Sequence, residues 1–160
     1  MSSTTTELDD TDRGVLRCLL FGRSSLDLLC DSLGLQCHQV RRSVDVLETA
    51  GLIHPQGQGG TRELEFALTE SGRAQALADV PPDQLDLVDR RLSPDDVTFL
   101  LNLAAGRSLA RRAQCEWGVG ATRQHLWEKG LIDVVGFIRP DSVLTDRGRE
   151  VARTLNGDAA

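Results

Sequence analysis

The sequence predicts a mainly α protein with small β-hairpins (α+β), in which one folding unit is used twice. Three observations predict it. Short sequences recur in the same order: GRS at 22–24 and 106–108, LETAGLI at 47–53 and LWEKGLI at 126–132, LTESGR at 68–73 and LTDRGR at 144–149. The partners are separated by 84, 79 and 76 residues, so the second copy is the shorter. Within each copy the apolar spacing changes from helical at the front to alternating near the end. The length of 160 residues, with 40% hydrophobic and 26% charged residues, fits one domain or two small soluble units.

In the first copy, DDTDRGVLRCLLFG places Val15, Leu16, Leu19 and Leu20 at helical spacing. Asp9, Asp10 or Thr11 is positioned to cap this helix and Gly22 to end it. Ser24 or Ser25 caps a short second helix from Leu26 to about Leu33. Cys18 and Cys30 lie among these leucines and read as small buried hydrophobes. LGL at 33–35 makes a tight turn, with Gly34 supplying a backbone conformation that other residues resist. A third helix is expected from about Gln36 to Thr49, with Val40, Val44 and Leu47 on its inner face and Gly51 as its stop. Leu52-Ile53 then reads as a short strand and HPQGQGGTR as a glycine-rich loop. ELEFALT reads as a second strand with Leu64, Phe66 and Leu68 on one face. Thr69 caps a last helix through Arg73, Ala74 and Leu77.

That order, helix, helix, turn, helix, strand, loop, strand, helix, is the order of a winged helix-turn-helix domain. LCDSLGLQCHQVRRSVDVLETAGLI followed by TRELEFALTESGR resembles the DNA-binding core of MarR-type transcriptional regulators. The resemblance covers about residues 8–78. It implies double-stranded DNA as the partner, a recognition helix in the major groove and a wing arginine in the minor groove.

The second copy begins at Ser93, which caps a helix with Pro94 in its first turn. RSLARRAQCEW reads as its second helix, GVG at 118–120 as its turn and Ala121 to Lys129 as a shortened third helix. LIDVVGFIRPDSVLT gives two strands joined by a tight wing. The expected organisation is a disordered polar tail at 1–7, winged helix domain 1 at 8–78, an acidic linker helix at 79–91 and a divergent winged helix domain 2 at 92–156. The whole is a tandem winged helix-turn-helix.

Function follows from the side chains this frame leaves over. At 100° per residue, His38, Arg42, Asp45 and Thr49 point away from the Val40–Val44–Leu47 side, with Gln39 and Arg41 on the flanks. Arginine pairs with guanine and glutamine with adenine through two hydrogen bonds. Gln36, His38, Gln39, Arg41 and Arg42 therefore form the expected base-reading set. A solvated helix face with an Arg41–Asp45 ion pair is the competing interpretation. Arg62 stands at the wing tip among glycines, placed for a narrow minor groove. Arg139 is its counterpart in the second copy. Arg107, Arg111 and Arg112 either hold phosphates or pair with Asp95, Asp96 or an acidic partner.

Cys37 opens the third helix, where a thiol can become reactive. It lies about 60° from the centre of the buried side, so partial burial and an inert thiol are expected. The four cysteines, Cys18, Cys30, Cys37 and Cys115, form no C-x-x-C pair and are expected to be reduced. His54 and His125 show no ligand spacing. Trp127, near Leu126 and Leu131, is expected in the core, and Trp117 at an interface.

No catalytic motif is present, and no cofactor or metal site is expected. No apolar run approaches the roughly 20 residues of a membrane span, and the polar N-terminus is no signal peptide, so a cytoplasmic protein is expected. The net charge of −6 argues against general polyanion binding. A second function class stays open: an acidic tandem winged-helix docking subunit of a larger complex. A homodimer or protein contact through domain 2 or the linker belongs with either.

Overall fold

The computed structural model describes residues 7–57, 64–107, 119–136, 138 and 141–157. It is mainly helical, with two small antiparallel hairpins. The chain divides into two compact units, Met1–Arg91 and Leu92–Ala160. Among the described residues no helix is long and apolar enough to cross a membrane.

The first unit starts with α1, Asp10–Leu20. Asp9 accepts from the Asp12 N–H at 2.8 Å, and Asp12 accepts from the Asp9 N–H at 3.1 Å, a reciprocal cap for two orphan donors. The buried stripe of α1 is Val15, Leu16, Leu19 and Leu20. α2, Leu26–Leu33, is capped by the Ser25 hydroxyl and ends on Gly34 at φ 63°. α3, Cys37–Thr49, buries Val40, Ser43, Val44 and Leu47. β1, Ile53–Gln56, pairs antiparallel with β2, Glu65–Leu68. The entrance to α2 is tied to that hairpin: Phe66 N–H donates to Ser24 O and Leu26 N–H to Leu64 O, both at 2.9 Å. α4, Glu70–Ala78, follows, then a 3-10 turn at Pro82–Gln84 and α5, Leu85–Arg90. Val80 and Val88 are buried in the same core as Phe21, Leu29 and Leu47. Residues 79–91 thus carry apolar side chains into the first unit. Each buried leucine or valine there contributes about 1.5–3 kcal/mol of transfer free energy.

The second unit has α6, Pro94–Ala104, then α7, Val119–Glu128, the hairpin β3, Ile132–Val135, with β4, Asp141–Leu144, and α8, Asp146–Gly157. Its core is Leu92, Phe99, Leu100, Leu126, Leu131 and Ile132. The expected helix RSLARRAQCEW falls almost wholly at 108–118, outside the described residues. Counting back along the repeat, Phe66, Leu77 and Val80 of the first unit become Ser142, Arg153 and Asn156. These three line an open cleft of about 580 Å³ with Leu103, Leu144 and Arg149. Ser142 Oγ is buried there with no hydrogen-bond partner among the described residues.

Four expectations are corrected. β1 runs on to Gln56 and does not include Leu52; only Ile53 of its residues is buried, so the strand carries no alternation to read. Leu64 is 50% exposed, because the backbone ahead of β2 serves α2 through its carbonyl rather than the core through its side chain. Cys18 is half-buried rather than buried. Trp127 is 55% exposed. Ala121, Thr122, His125 and Leu126 occupy the inner arc of α7, and at 100° per residue Trp127 falls opposite that arc.

The recurring sequences have one structural meaning. Thr69 Oγ1 donates to Gly51 O at 2.7 Å and accepts from the Gly72 N–H at 3.1 Å. Thr145 Oγ1 donates to Gly130 O at 2.7 Å and accepts from the Gly148 N–H at 3.0 Å. Thr69 N–H donates to Leu52 O, and Thr145 N–H to Leu131 O. One hydroxyl therefore satisfies a carbonyl beyond the third helix and a donor of the last helix together. Gly51 and Gly130 turn the chain at φ 72° and 70°. Gly72 and Gly148 let the last helix press on the chain behind it: a Cβ at either would overlap the carbonyl oxygen of Leu52 or Leu131.

Gly72→Ala and Gly148→Ala are each expected to destabilise their own unit by about 1–3 kcal/mol in urea unfolding, the range for overpacking. Gly120→Ala, at a helical position with nothing near a new Cβ, is expected to stabilise by about 0.4–1 kcal/mol. A neutral Gly148→Ala would show that the second clasp is loose.

Candidate nucleic-acid interface

α3 is organised around four buried residues, Val40, Ser43, Val44 and Leu47, at spacings of three and four. That stripe fixes what the opposite side presents. Gln36, His38, Gln39, Arg41 and Arg42 are all exposed. The structure thus brings five of the sequence-selected residues together on the first turns of one helix and its cap. Asp45 and Glu48 are also exposed, one to two turns on. The two cations lie toward the N-terminal half of α3 and these two acids lie beyond them.

The helix backbone adds to that polarity. A helix N-terminus carries about half a positive charge on its free N–H groups. Acidic residues compensate it in the first turn of α1, α2, α4, α5, α6 and α8. α3 and α7 have none. Among the described residues no hydrogen bond or ion pair engages the Arg41 or Arg42 guanidinium, and the Arg41–Asp45 pair of the competing interpretation does not form. Both cations stand open to an incoming anion.

Gln36 and Gln39 have a prior task. Gln36 is the N-cap, outside the helix proper, and its N–H donates to Gln39 Oε1 at 3.1 Å. The Gln39 side chain is turned back on the helix start. It closes the helix in the manner of a capping box, leaving its amide N–H groups as the outward donors.

Cys37 is exposed, not partly buried as its helical angle implied. The first turn of α3 projects beyond the packed stripe, so angle alone does not cover it. Cys30, at the end of α2, is 6% exposed. Its thiol donates to Cys37 Sγ at 3.0 Å. Burial pushes the Cys30 thiol up to about 12, and its hydrogen bond to Cys37 pushes the same way. The sequence selected each cysteine separately and did not join them.

The remaining selected residues are more scattered. Arg62, at the loop joining β1 to β2, lies outside the described residues, as do Arg111, Arg112, Arg139, Cys115 and Trp117. Arg107 is exposed just after α6, where its N–H donates to Asn102 O at 3.0 Å. His54 is exposed on β1. In the second unit the structure shows a polar pair that spacing did not reveal: His125 Nδ1 lies 3.0 Å from Asp96 Oδ2, with His125 3% and Asp96 0% exposed. Asp96 Oδ2 also accepts the Ser93 N–H at 2.7 Å. An ionised carboxylate can only accept, so Nδ1 carries the proton in this contact. The pair joins the cap of α6 to the inner side of α7. Among the described residues no group of three or more His, Cys, Asp or Glu side chains is placed to hold a metal ion.

Comparison of the chain with family models, with curated proteins and with solved structures found no match.

Asp12 and Asp96 make the same capping box, but Asp96 also satisfies a buried imidazole. Asp96→Ala is expected to cost about 1–3 kcal/mol more than Asp12→Ala, the penalty of a buried donor left without its acceptor. Chemical unfolding of the two variants measures the difference.

Proposed function

We propose that this chain is a tandem winged helix-turn-helix protein that binds double-stranded DNA sequence-specifically and regulates transcription. The observation that carries the reading is the N-terminal half of α3: His38, Arg41 and Arg42 are exposed together, the two guanidiniums are uncommitted, and the first turn holds no acid. In this reading α3 enters the major groove with its first turns, Arg41 and Arg42 contact guanine or phosphate, and Gln39 donates through its amide. Arg62 on the glycine-rich loop reaches the minor groove. The second unit supplies phosphate contacts through Arg107, Arg111 and Arg112, with Arg139 on its hairpin. The α7 positions matching Arg41 and Arg42 along the repeat are Gly120 and Ala121, so base reading rests with the first unit. A cytoplasmic location goes with this function. The MarR-like sequence pattern supports the same assignment, and binding rather than catalysis is the activity assigned.

A second reading is favoured by a different observation. Trp127, Val134, Val135, Ile138 and Val143 of the second unit are each at least 40% exposed. Exposed apolar groups of this kind mark protein contacts when they are contiguous. Here the second unit docks a protein partner or a second copy, and the chain serves as an acidic subunit of a larger complex.

Selection from random duplex DNA at moderate salt separates the two. Enrichment of one sequence is expected. On that sequence Arg42→Ala should weaken binding by about 1–3 kcal/mol and relax preference at one base pair. Arg111→Ala with Arg112→Ala should flatten the salt dependence by roughly one unit of slope per lost phosphate contact. With a net charge of −6, binding away from the selected site should be poor. No enriched sequence, together with wild-type behaviour of Arg42→Ala, overturns the DNA reading in favour of docking.

A further inference from the structure

The thiols of Cys30 and Cys37 meet across the turn between α2 and α3, Sγ to Sγ at 3.0 Å. Six residues separate them, and Gly34 turns the chain between them at φ 63°. Cys30 belongs to the last turn of α2 and Cys37 is the first residue of α3. A disulfide needs about 2.05 Å between sulfurs. Closing the remaining distance takes about 1 Å of movement, and Cys37 sits at an exposed helix end with room for it. The two sulfurs differ in exposure and in hydrogen bonding: Cys37 is exposed, while Cys30 is buried and donates its proton toward Cys37.

We propose that Cys30 and Cys37 form a reversible oxidation site, in which a hydroperoxide converts the two thiols into an intramolecular disulfide that staples α2 to α3. The Cys37 sulfur attacks the peroxide. The O–O bond breaks, the alcohol or water leaves, and Cys37 becomes a sulfenic acid. Cys30 Sγ then attacks the Cys37 sulfur. The S–O bond breaks, and the departing hydroxide takes the Cys30 proton as water. Overall two thiols are oxidised by two electrons, one hydroperoxide is reduced, and one S–S bond forms. A dithiol reductant reverses the step by two exchanges.

The order of events follows from the environment. Burial holds the Cys30 thiol protonated, up to about 12, so it is a poor first nucleophile at neutral pH. It is well placed as the resolving partner because its sulfur already touches the one that is oxidised. Cys18, half-buried and elsewhere on α1, has no place in the sequence of steps. The site stands whether or not α3 reads a nucleic acid, so its failure and the failure of that reading are separate results.

The test is treatment of the full native chain with stoichiometric hydrogen peroxide, followed by alkylation and peptide mapping. Trypsin releases Ser24–Arg41 as one peptide that holds both cysteines, because no lysine or arginine lies between them. The expected result is that this peptide loses two hydrogens and both alkylation sites, and regains them with dithiothreitol. Cys30→Ser should instead leave Cys37 carrying sulfenic or sulfinic acid, and Cys37→Ser should leave Cys30 reduced at the same peroxide dose. Thermal melts of the untreated variants confirm that each is folded when treated. If wild type accumulates sulfinic acid on Cys37 while Cys30 stays alkylatable, or if the disulfide joins two chains or involves Cys18 or Cys115, the proposal is overturned. Equal peroxide reactivity of Cys30 in wild type and in Cys37→Ser overturns the assigned order of attack.

Discussion

The threonine–glycine clasp is the interaction on which each unit depends. A helix ends with carbonyls that have no partner inside it and begins with N–H groups in the same position. In each unit backbone N–H groups beyond the third helix take its last carbonyls, and one threonine hydroxyl accepts from an N–H at the start of the last helix while donating to the carbonyl of the glycine just past the third. The glycine three residues after that threonine lets the two backbones touch. This fixes where the third helix stops, where the hairpin begins and which way the last helix leaves. The register Ile53 opposite Leu68, and Ile132 opposite Leu144, begins within a residue or two of the clasp. Because the inner stripe of α3 is locked at its C-terminal end in this way, its N-terminal turns are free to carry polar side chains that no core contact requires.

The two units share that constraint and use it differently. In the first, Phe66 and Val80, with Val88 from the segment that follows, complete the core. In the second, the matching Ser142 and Asn156 line a cleft instead. The third helices diverge in the same sense. α3 keeps polar residues outside and Val40, Val44 and Leu47 inside. α7 turns inward a histidine, held by the carboxylate that caps α6. Its outward residues include a tryptophan rather than arginines. The two units share this backbone solution, while their third helices differ outside: α3 presents Arg41 and Arg42, and α7 presents Trp127 beside the hydrogen-bonded Gln124 and Glu128.

Much of this was legible because the clasp admits few residue types. Only a hydroxyl can donate and accept across that gap, only glycine fits the close approach, and only glycine takes the turn readily. Those positions therefore survive in both copies as LTESGR and LTDRGR, GLI and GLI. The helix caps at Asp9, Ser25, Thr69 and Ser93, and the Val40–Val44–Leu47 stripe, were legible for the same reason: local chemistry decides them. What escaped was set by contacts distant in the chain or by angle. β1 extends through His54, Pro55 and Gln56, whose polar character gives no strand signal. Trp127 was read from its apolar neighbours, although its angle on α7 places it outside. The Asp96–His125 contact spans 29 residues and has no spacing rule. Cys30 and Cys37 lie close in sequence, yet only the turn geometry brings their sulfurs together.

The central claim is that the first turns of α3 are the surface that meets DNA. Amide chemical shifts of the full chain, titrated with duplex DNA carrying a selected sequence, test it most directly. The account predicts that shifts concentrate on residues 36–42 and the loop bearing Arg62, with the Trp127 and β3–β4 amides little changed. Shifts confined to the second unit, with residues 36–42 unmoved at saturation, would contradict it.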